Sequence, residues 1–243
     1  MSLGARPRSA DACPTAASVY VGSAPGERDT RPVCTDRRGD VHTGAVTSTA
    51  LPGAFFARPC ADGVDLVLRE LSTTVEMHEL VVADLAHLRR WEQWAQPEPT
   101  LPRTFEYTRR RLDEFTRGRA LPCAIRVDGE LVGAVELAID PATSTGDLGV
   151  WVAAPAEGRG IARSACEAVL DHAFTAARLT RVEARIATGN TRSRRLAEQL
   201  GFALEGTLRK AHVVGEERHD LAVYGLLAED REAVRSSARR TAA

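Results

Sequence analysis

One stretch of the chain, residues 148–163, places the strictest limits on what the rest can fold into. Its apolar run Leu148–Ala154 predicts a strand, which Pro155 ends. Gly158 and Gly160 then allow a turn of unusual backbone dihedrals, and a helical spacing of apolar residues follows. A strand, a glycine turn and a helix in this order leave free backbone N–H groups at the helix N-terminus. The stretch therefore predicts an anion site, with phosphate as the usual anion.

Three interpretations of this turn compete. The first is an ordinary connection between a strand and a helix. The second is a dinucleotide-binding turn, which Arg163 disfavours because that fingerprint needs a small third residue. The third is a cradle for linked phosphates, beside which Arg159 and Arg163 add positive charge. A Walker loop is excluded because no Gly-Lys-Ser/Thr follows the glycines.

Composition narrows the class of protein. The chain has 243 residues and a formal net charge of -1, which gives no support for a nucleic-acid or membrane-surface partner. No apolar run reaches the roughly 18 residues of a membrane span. Five widely spaced cysteines without a Cys-x-x-Cys pair argue against a disulfide framework and a zinc site. We therefore expect a cytoplasmic protein without a metal, in which Cys123 and Cys166 are buried packing residues.

The sequence divides into three parts. Residues 1–61 lack lasting periodicity, which predicts a disordered N-terminal extension. Residues 62–230 carry the periodic elements of one domain, and residues 231–243 form a polar tail. The elements follow the order β-α-α-β-β-β-α-β-α-β-β. This order predicts an α/β (α+β) fold with a mixed, mostly antiparallel sheet of about seven strands and helices on both faces. The unit from 147 to 187 predicts two parallel strands joined by a right-handed crossover helix.

Two predicted helices carry further expectations. The first runs from Ser72 to about Trp94, so that Trp91 and Trp94 share a face, either in the core or as a wall of a substrate site. The second, Arg103–Arg117, turns three apolar residues toward the core and keeps a run of arginines in solvent. The apolar residues are Phe105, Leu112 and Phe115, and the arginines are Arg109, Arg110 and Arg111.

Three motifs at family spacing make the chain resemble the GCN5-related N-acetyltransferases (GNAT), in the RimJ/RimL-like branch that modifies ribosomal-protein N-termini. They are Gly158-Arg-Gly-Ile-Ala162 after one strand, Asn190-Thr-Arg-Ser193 after the next, and Gly201-Phe202 at the end of the following helix. The resemblance spans roughly residues 63–230. It implies the GNAT fold, acetyl-CoA as the cosubstrate, and a primary amine as the acceptor.

The resemblance also implies which residues hold acetyl-CoA. Backbone N–H groups of the glycine turn grip the linked phosphates, and the end of the preceding strand holds the pantetheine. The implied coenzyme-binding residues are Val150, Val152, Gly158, Arg159, Gly160, Ile161, Ala162, Arg163 and Asn190. Val152 N–H is our hypothesis for an oxyanion donor, and Asn190 is alternatively a plain turn residue. Glu157 departs from the basic or amide residue usual at its position, so its side chain must turn away from the phosphates.

A second departure concerns the proton donor for the leaving thiolate. Many relatives carry a tyrosine where this chain has Ala197, which has no proton to give. Ser193, one helical turn earlier, takes that role in the ribosomal-protein branch; alternatively it only satisfies the helix N-terminus. For the base that deprotonates the amine, Asp147 is the first choice and Glu136 the second. Each is alternatively a solvent-facing strand residue.

Three functions stay open from the sequence. The leading one is acetyl transfer from acetyl-CoA to a protein N-terminal amine, directly in a ternary complex, with Trp91 and Trp94 lining the acceptor site. The second is acetylation of a small amine, such as an antibiotic or an amino sugar. The third is a non-catalytic acyl-CoA-binding regulatory module, which Ala197 favours and Ser193 disfavours. We expect a monomer or homodimer without nucleic-acid or membrane partners.

Overall fold

The computed structural model describes residues 57–231, which contain eight strands, five α-helices and a further helical turn at residues 228–231. The strands are β1 (Ala57–Ala61), β2 (Val64–Leu68), β3 (Ala120–Val127), β4 (Glu130–Asp140), β5 (Thr145–Val152), β6 (Arg181–Ala187), β7 (Ala203–Val214) and β8 (Glu217–Leu227). The α-helices are α1 (Thr74–Ala83), α2 (Leu85–Leu88), α3 (Leu101–Thr116), α4 (Ile161–Thr175) and α5 (Thr191–Gln199). Short 3-10 helices span Leu71–Thr73, Gln93–Ala95 and Ala154–Ala156.

All eight strands form one sheet in the order β1-β2-β3-β4-β5-β6-β8-β7. Every neighbouring pair is antiparallel except β5 and β6, which are parallel and joined by α4. The predicted mixed, mostly antiparallel sheet and its single crossover unit are therefore confirmed. The turn between β3 and β4 is a two-residue hairpin turn, with φ of 49° at Asp128 and 88° at Gly129.

The sheet begins earlier than the sequence predicted. Residues 57–61, which we assigned to a disordered extension, form β1 and pair with β2, with Ala57 opposite Val67. Most of β1 is exposed, so its sequence carries no apolar alternation that could have revealed it. This strand raises the count from seven to eight. The rest of the predicted extension, and the predicted polar tail from residue 232 onward, lie outside the described residues.

Apolar residues at alternate positions of the strands form one core on each face of the sheet. Val135 of β4 belongs to the cluster that contains Val169 of α4. Its neighbour Ala134 packs instead with Met77 of α1. Successive side chains of a strand point to opposite faces, so α1 and α4 lie on opposite sides of the sheet. The α5 residue Ala197 belongs to the α4 side, which confirms the prediction of helices on both faces.

The predicted continuous helix from Ser72 to Trp94 is wrong. Asp84, at φ −107° and ψ 15°, separates α1 from α2, and the chain reaches Trp94 through a 3-10 turn. The apolar spacing continues across the break because Val81 and Leu88 still share one cluster. The break has a tertiary partner, since the Asp84 carboxylate accepts a hydrogen bond from the backbone N–H of Ala154 at 3.2 Å.

The predicted core face of α3 is wrong at two of its three positions, while Leu112 is partly buried. Phe105 and Phe115 are 37% and 38% exposed, whereas the fully buried residue of this helix is Thr108. Its hydroxyl accepts a hydrogen bond from the buried Arg69 side chain at 3.2 Å. Arg111, assigned to solvent, has only 11% of its side chain exposed and forms an ion pair with a carboxylate of the sheet. This helix therefore packs through polar pairs, which an apolar periodicity cannot reveal.

Candidate active site

A cleft opens where the two parallel strands separate. β5 and β6 are paired at only three positions, the last of which joins Asp147 to Glu183. Both strands then continue unpaired, and between them lies a cleft of about 940 Å³, including space open to solvent. Residues 148–151 of β5 form one wall and residues 184–187 of β6 form the other. The cleft thus leaves backbone groups of both strands without a ladder partner.

The pairing of β5 with β4 determines which backbone groups face this gap. The N–H of Ala153 donates to the carbonyl of Val132 on β4 at 2.8 Å. Backbone groups of a strand alternate in direction, so the N–H groups of Val150 and Val152 point the other way, toward β6. Past residue 147, β6 no longer pairs with β5. The N–H groups of Val150 and Val152 therefore point to the side of β5 on which the cleft opens, and Val150 is among the residues that line it.

The glycine turn follows directly at the end of β5. Gly158 and Gly160 have φ of 75° and 78°, in the left-handed region that favours glycine. Gly160 is the N-cap residue of α4, so the first N–H groups of this helix have no intrahelical partner. Arg159 is exposed, while Arg163 is paired with Glu167 at 3.0 Å. The turn therefore has the donors, the dipole and the charge of an anion site.

The acidic residue of this turn is directed away from it. Glu157 forms an ion pair with Arg192 in the first turn of α5, at 2.5 Å, and lies 3.4 Å from Nε2 of His87 on α2. The side chain is therefore engaged by two other elements, as the requirement to avoid the phosphates predicted. An acidic residue at this position is compatible with phosphate binding because its charge is held by a neighbouring arginine.

The start of α5 forms part of the cleft wall. Asn190 is the N-cap residue, and its side-chain oxygen accepts a hydrogen bond from the backbone N–H of Ser193 at 3.2 Å. Asn190, Ser193 and Ala197 all line the cleft. The cap accounts for Asn190 structurally, and coenzyme binding by its side chain stays a prediction. The hydroxyl of Ser193 lies on an element that is fixed in position, as a proton donor would require.

Three tryptophans form the opposite side of the cleft. Trp91 and Trp94 line it together with Trp151 of β5. The rings of Trp94 and Trp151 are 6.0 Å apart between centroids and inclined by 48°. Trp91 and Trp94 thus meet in the cleft, although not as neighbours on one helix. Their role in acceptor binding stays a prediction.

Two polar residues of this side were not singled out from the sequence. Glu92, which lies between Trp91 and Trp94 in the sequence, lines the cleft. Its Oε2 accepts a hydrogen bond from Nε1 of Trp94 at 2.8 Å, and burial raises its pKa to about 7. His212 of β7 also lines the cleft. Its Nε2–H donates to the carbonyl of Trp91 at 2.8 Å and so anchors the aromatic side. The sequence signal that could have indicated Glu92 as a cleft residue is its position between Trp91 and Trp94.

The two predicted bases, Glu136 and Asp147, lie outside the lining of the cleft. Glu136 accepts a hydrogen bond from Tyr107 at 2.7 Å and forms an ion pair with Arg111, both on α3. A carboxylate with these partners is less available to receive a proton. The carboxylate oxygens of Asp147 are buried at the point where β5 and β6 separate. Neither residue is among those that line the cleft in the described part of the chain. Both assignments stay predictions.

The cysteine prediction is confirmed. Cys123 and Cys166 are buried free thiols, and burial raises the pKa of each to about 12. In residues 57–231, no three His, Cys, Asp or Glu side chains are grouped so that they could hold a metal ion. No helix in that range is long and apolar enough to cross a membrane.

Comparison with known proteins decides the family. Residues 65–203, more than half of the chain, match the family model described as "Acetyltransferase (GNAT) domain". The chain belongs to the GNAT acetyltransferase family. It is therefore an acyltransferase, and the cleft between β5 and β6 is the candidate active site of a GNAT domain.

The relatives of this GNAT domain agree with the predicted branch. The putative ribosomal N-acetyltransferase YdaF of Bacillus subtilis is 29% identical over 170 residues, which are 68% of this chain and 91% of YdaF. The ribosomal-protein-serine acetyltransferase of Escherichia coli is 27% identical over 135 residues, 55% of this chain and 74% of the relative. The structure of Mycobacterium smegmatis RimJ in complex with CoA-disulfide has a TM-score of 0.65 at 28% identity, and the match covers 72% of this chain and 90% of RimJ. The resemblance to the RimJ/RimL-like branch is thus confirmed.

Proposed function

We propose that this GNAT domain transfers the acetyl group of acetyl-CoA to the N-terminal amine of a protein, directly within a ternary complex. The observation that carries this proposal is that the N–H groups of Val150 and Val152 point toward the gap between β5 and β6, shortly before the glycine turn. The strand N–H groups and those of the glycine turn together suit a coenzyme that has linked phosphates at one end and a thioester at the other.

The structure fits acetyl-CoA at both ends. The N–H groups at the start of α4 would hold the phosphates, with Arg159 as the exposed cation beside them. The pantetheine would run along the unpaired edge of β5 and so satisfy backbone donors that lack a ladder partner. Acetyl-CoA supplies the acyl thioester, and Val152 N–H would stabilise the negative charge that develops on its carbonyl oxygen.

The acceptor would enter the cleft from the tryptophan side. The tryptophan side of the cleft is reached from the face of the sheet that carries Ala134 and Trp151, opposite the α4 side. Acetyl-CoA and the amine can therefore enter the cleft from opposite faces of the sheet. The names of the relatives, a putative ribosomal N-acetyltransferase and a ribosomal-protein-serine acetyltransferase, support a protein acceptor. Ser193, on the wall of the cleft, would protonate the leaving thiolate.

A labelled transfer assay tests the proposal. The full chain is incubated with [¹⁴C]acetyl-CoA and three classes of acceptor: peptides with a free N-terminus, the same peptides with a blocked N-terminus and an internal lysine, and small amines including amino sugars. We expect label only in the free N-terminal peptides. Label confined to the small amines would replace the protein acceptor by a small-molecule one. Acetyl-CoA binding without any transfer would favour the binding-module alternative.

A further inference from the structure

Among residues 57–231, the tryptophan side of the cleft contains one acidic side chain, Glu92. It lies in the sequence between Trp91 and Trp94, and all three line the cleft with Trp151. Aromatic faces attract a cationic ammonium, and a carboxylate among them completes a site that suits a primary amine in its protonated form. An ammonium, however, has no lone pair and cannot attack a thioester. A proton must leave it first.

The geometry of Glu92 suits a proton acceptor. One oxygen, Oε2, is held at 2.8 Å by the indole N–H of Trp94. This bond fixes the orientation of the carboxylate. No residue in the described range donates a hydrogen bond to Oε1, which leaves that oxygen available to an incoming donor. The indole N–H stays in place whether Glu92 is ionised or protonated. The surroundings therefore tolerate both states of the group.

On this basis, and resting on the proposed function, we infer that Glu92 is the general base of the acetyl transfer. The ammonium N–H bond breaks and its proton passes to Oε1 of Glu92. The freed lone pair forms the N–C bond to the acetyl carbon, and collapse of the adduct breaks the C–S bond. The thiolate takes the second amine proton, directly or through Ser193, and Glu92 releases its proton to solvent.

The proton affinity of Glu92 supports this role. Burial raises its pKa to about 7, close to the pKa of roughly 7.7–8.0 that protein α-amino groups have. A base whose pKa lies near the operating pH is partly ionised and still has a useful affinity for the proton. The other titratable side chains along the described part of the cleft are Cys166 of α4, Arg185 of β6 and His212 of β7. Arg185 is paired with Glu183, and His212 donates its Nε2 proton to Trp91.

Matched substitutions test the base. Glu92→Gln keeps the shape of the side chain and its contact with Trp94 but cannot take the proton. Glu98→Gln is the control, since Glu98 belongs to the same segment, is 78% exposed and pairs with Arg89 outside the cleft. We expect kcat to fall about 100-fold or more in Glu92→Gln and to change less than twofold in Glu98→Gln. Calorimetric Kd values for acetyl-CoA should agree among the three proteins.

Two further measurements distinguish a base from a residue that only supports the cleft. Added formate should raise the turnover of Glu92→Ala at least fivefold above its turnover without formate. In wild-type protein, the ¹³C carboxyl signal that is missing from Glu92→Gln should titrate with a midpoint near pH 7. Turnover of Glu92→Gln within threefold of wild type, or loss of turnover that formate does not restore in the alanine variant, would overturn the inference.

The outcome stays separate from that of the proposed function. If a small amine rather than a protein N-terminus is acetylated, the same variants are measured with that amine, and the role of Glu92 is judged on that result. If no amine is acetylated, the carboxyl titration decides. Absence of a Glu92 titration between pH 6 and 8 would then overturn the inference.

Discussion

Glu157 and Arg192 form an ion pair at 2.5 Å that joins the glycine turn to the first turn of α5. An acidic side chain beside a phosphate site would repel the ligand, and Arg192 holds the Glu157 carboxylate away from that site. Arg192 is largely exposed, so the pair adds little to stability. Its significance lies in where it holds the negative charge.

Removing the arginine should release that charge. Without Arg192, the Glu157 carboxylate can approach the phosphates, and a repulsion of about 1 kcal/mol corresponds to roughly fivefold weaker binding. We expect a fivefold higher Kd for acetyl-CoA in Arg192→Ala by calorimetry, and the increase over wild type should be larger at lower salt because the repulsion is screened less. Glu157→Gln should bind at least as well as wild type, and the double variant should match it. A double variant as weak as Arg192→Ala would show instead that the arginine contacts the ligand itself.

Gly160 should be needed for its backbone conformation rather than for space. Its φ is 78°, yet a Cβ placed there meets no atom within 4 Å. Gly160→Ala should therefore cost about 1 kcal/mol of folding free energy and, by redirecting the N–H groups of α4, weaken acetyl-CoA binding at least tenfold, an order-of-magnitude expectation. Gly206→Ala on β7 is the control, because its Cβ also meets nothing and its φ is not left-handed. Thermal unfolding and calorimetry measure both effects. Equal acetyl-CoA affinity of the two variants would contradict phosphate binding by the N–H groups of this turn.

Glu92 should make stability depend on pH. Its pKa is about 7 in the folded protein against an ordinary 4.5. Between these values the folded state keeps a proton that the unfolded state has released, so the free energy of unfolding falls as pH rises through this window. The loss amounts to at most about 3 kcal/mol. Urea unfolding at pH 5 and pH 8 should show a smaller difference for Glu92→Gln than for wild type. Equal differences would mean that Glu92 titrates normally.

Glu136 should prove structural. Its side chain is 12% exposed and paired with Arg111, which is 11% exposed. Glu136→Ala leaves the buried guanidinium without this partner and should lower the free energy of unfolding by about 3 kcal/mol. Turnover per folded molecule at low temperature should remain within a few fold of wild type. Normal stability together with a loss of turnover would instead restore Glu136 as a base. Urea unfolding and initial rates on the same preparation provide both measurements.

The sequence determined the features that depend on residues adjacent in the chain. The left-handed conformations of Gly158 and Gly160, the hairpin at Asp128 and the cap at Asn190 each follow from local backbone requirements. The crossover unit follows from the order of strand, helix and strand, which leaves one common handedness. These features place the glycine turn after β5 and the start of α5 on the wall of the cleft, and coenzyme binding by the implied residues stays a prediction.

Only the tertiary structure decided the surroundings of charged side chains. The sequence left Glu136 open as a base or a solvent-facing residue, assigned Arg111 to solvent and singled out no role for Glu92. Folding buries the first two as a pair between α3 and β4 and directs the third into the cleft beside Trp94. The physical reason is that the proton affinity of a carboxyl depends on burial and on partners that are distant in the chain, whereas a backbone dihedral depends mainly on the residue itself.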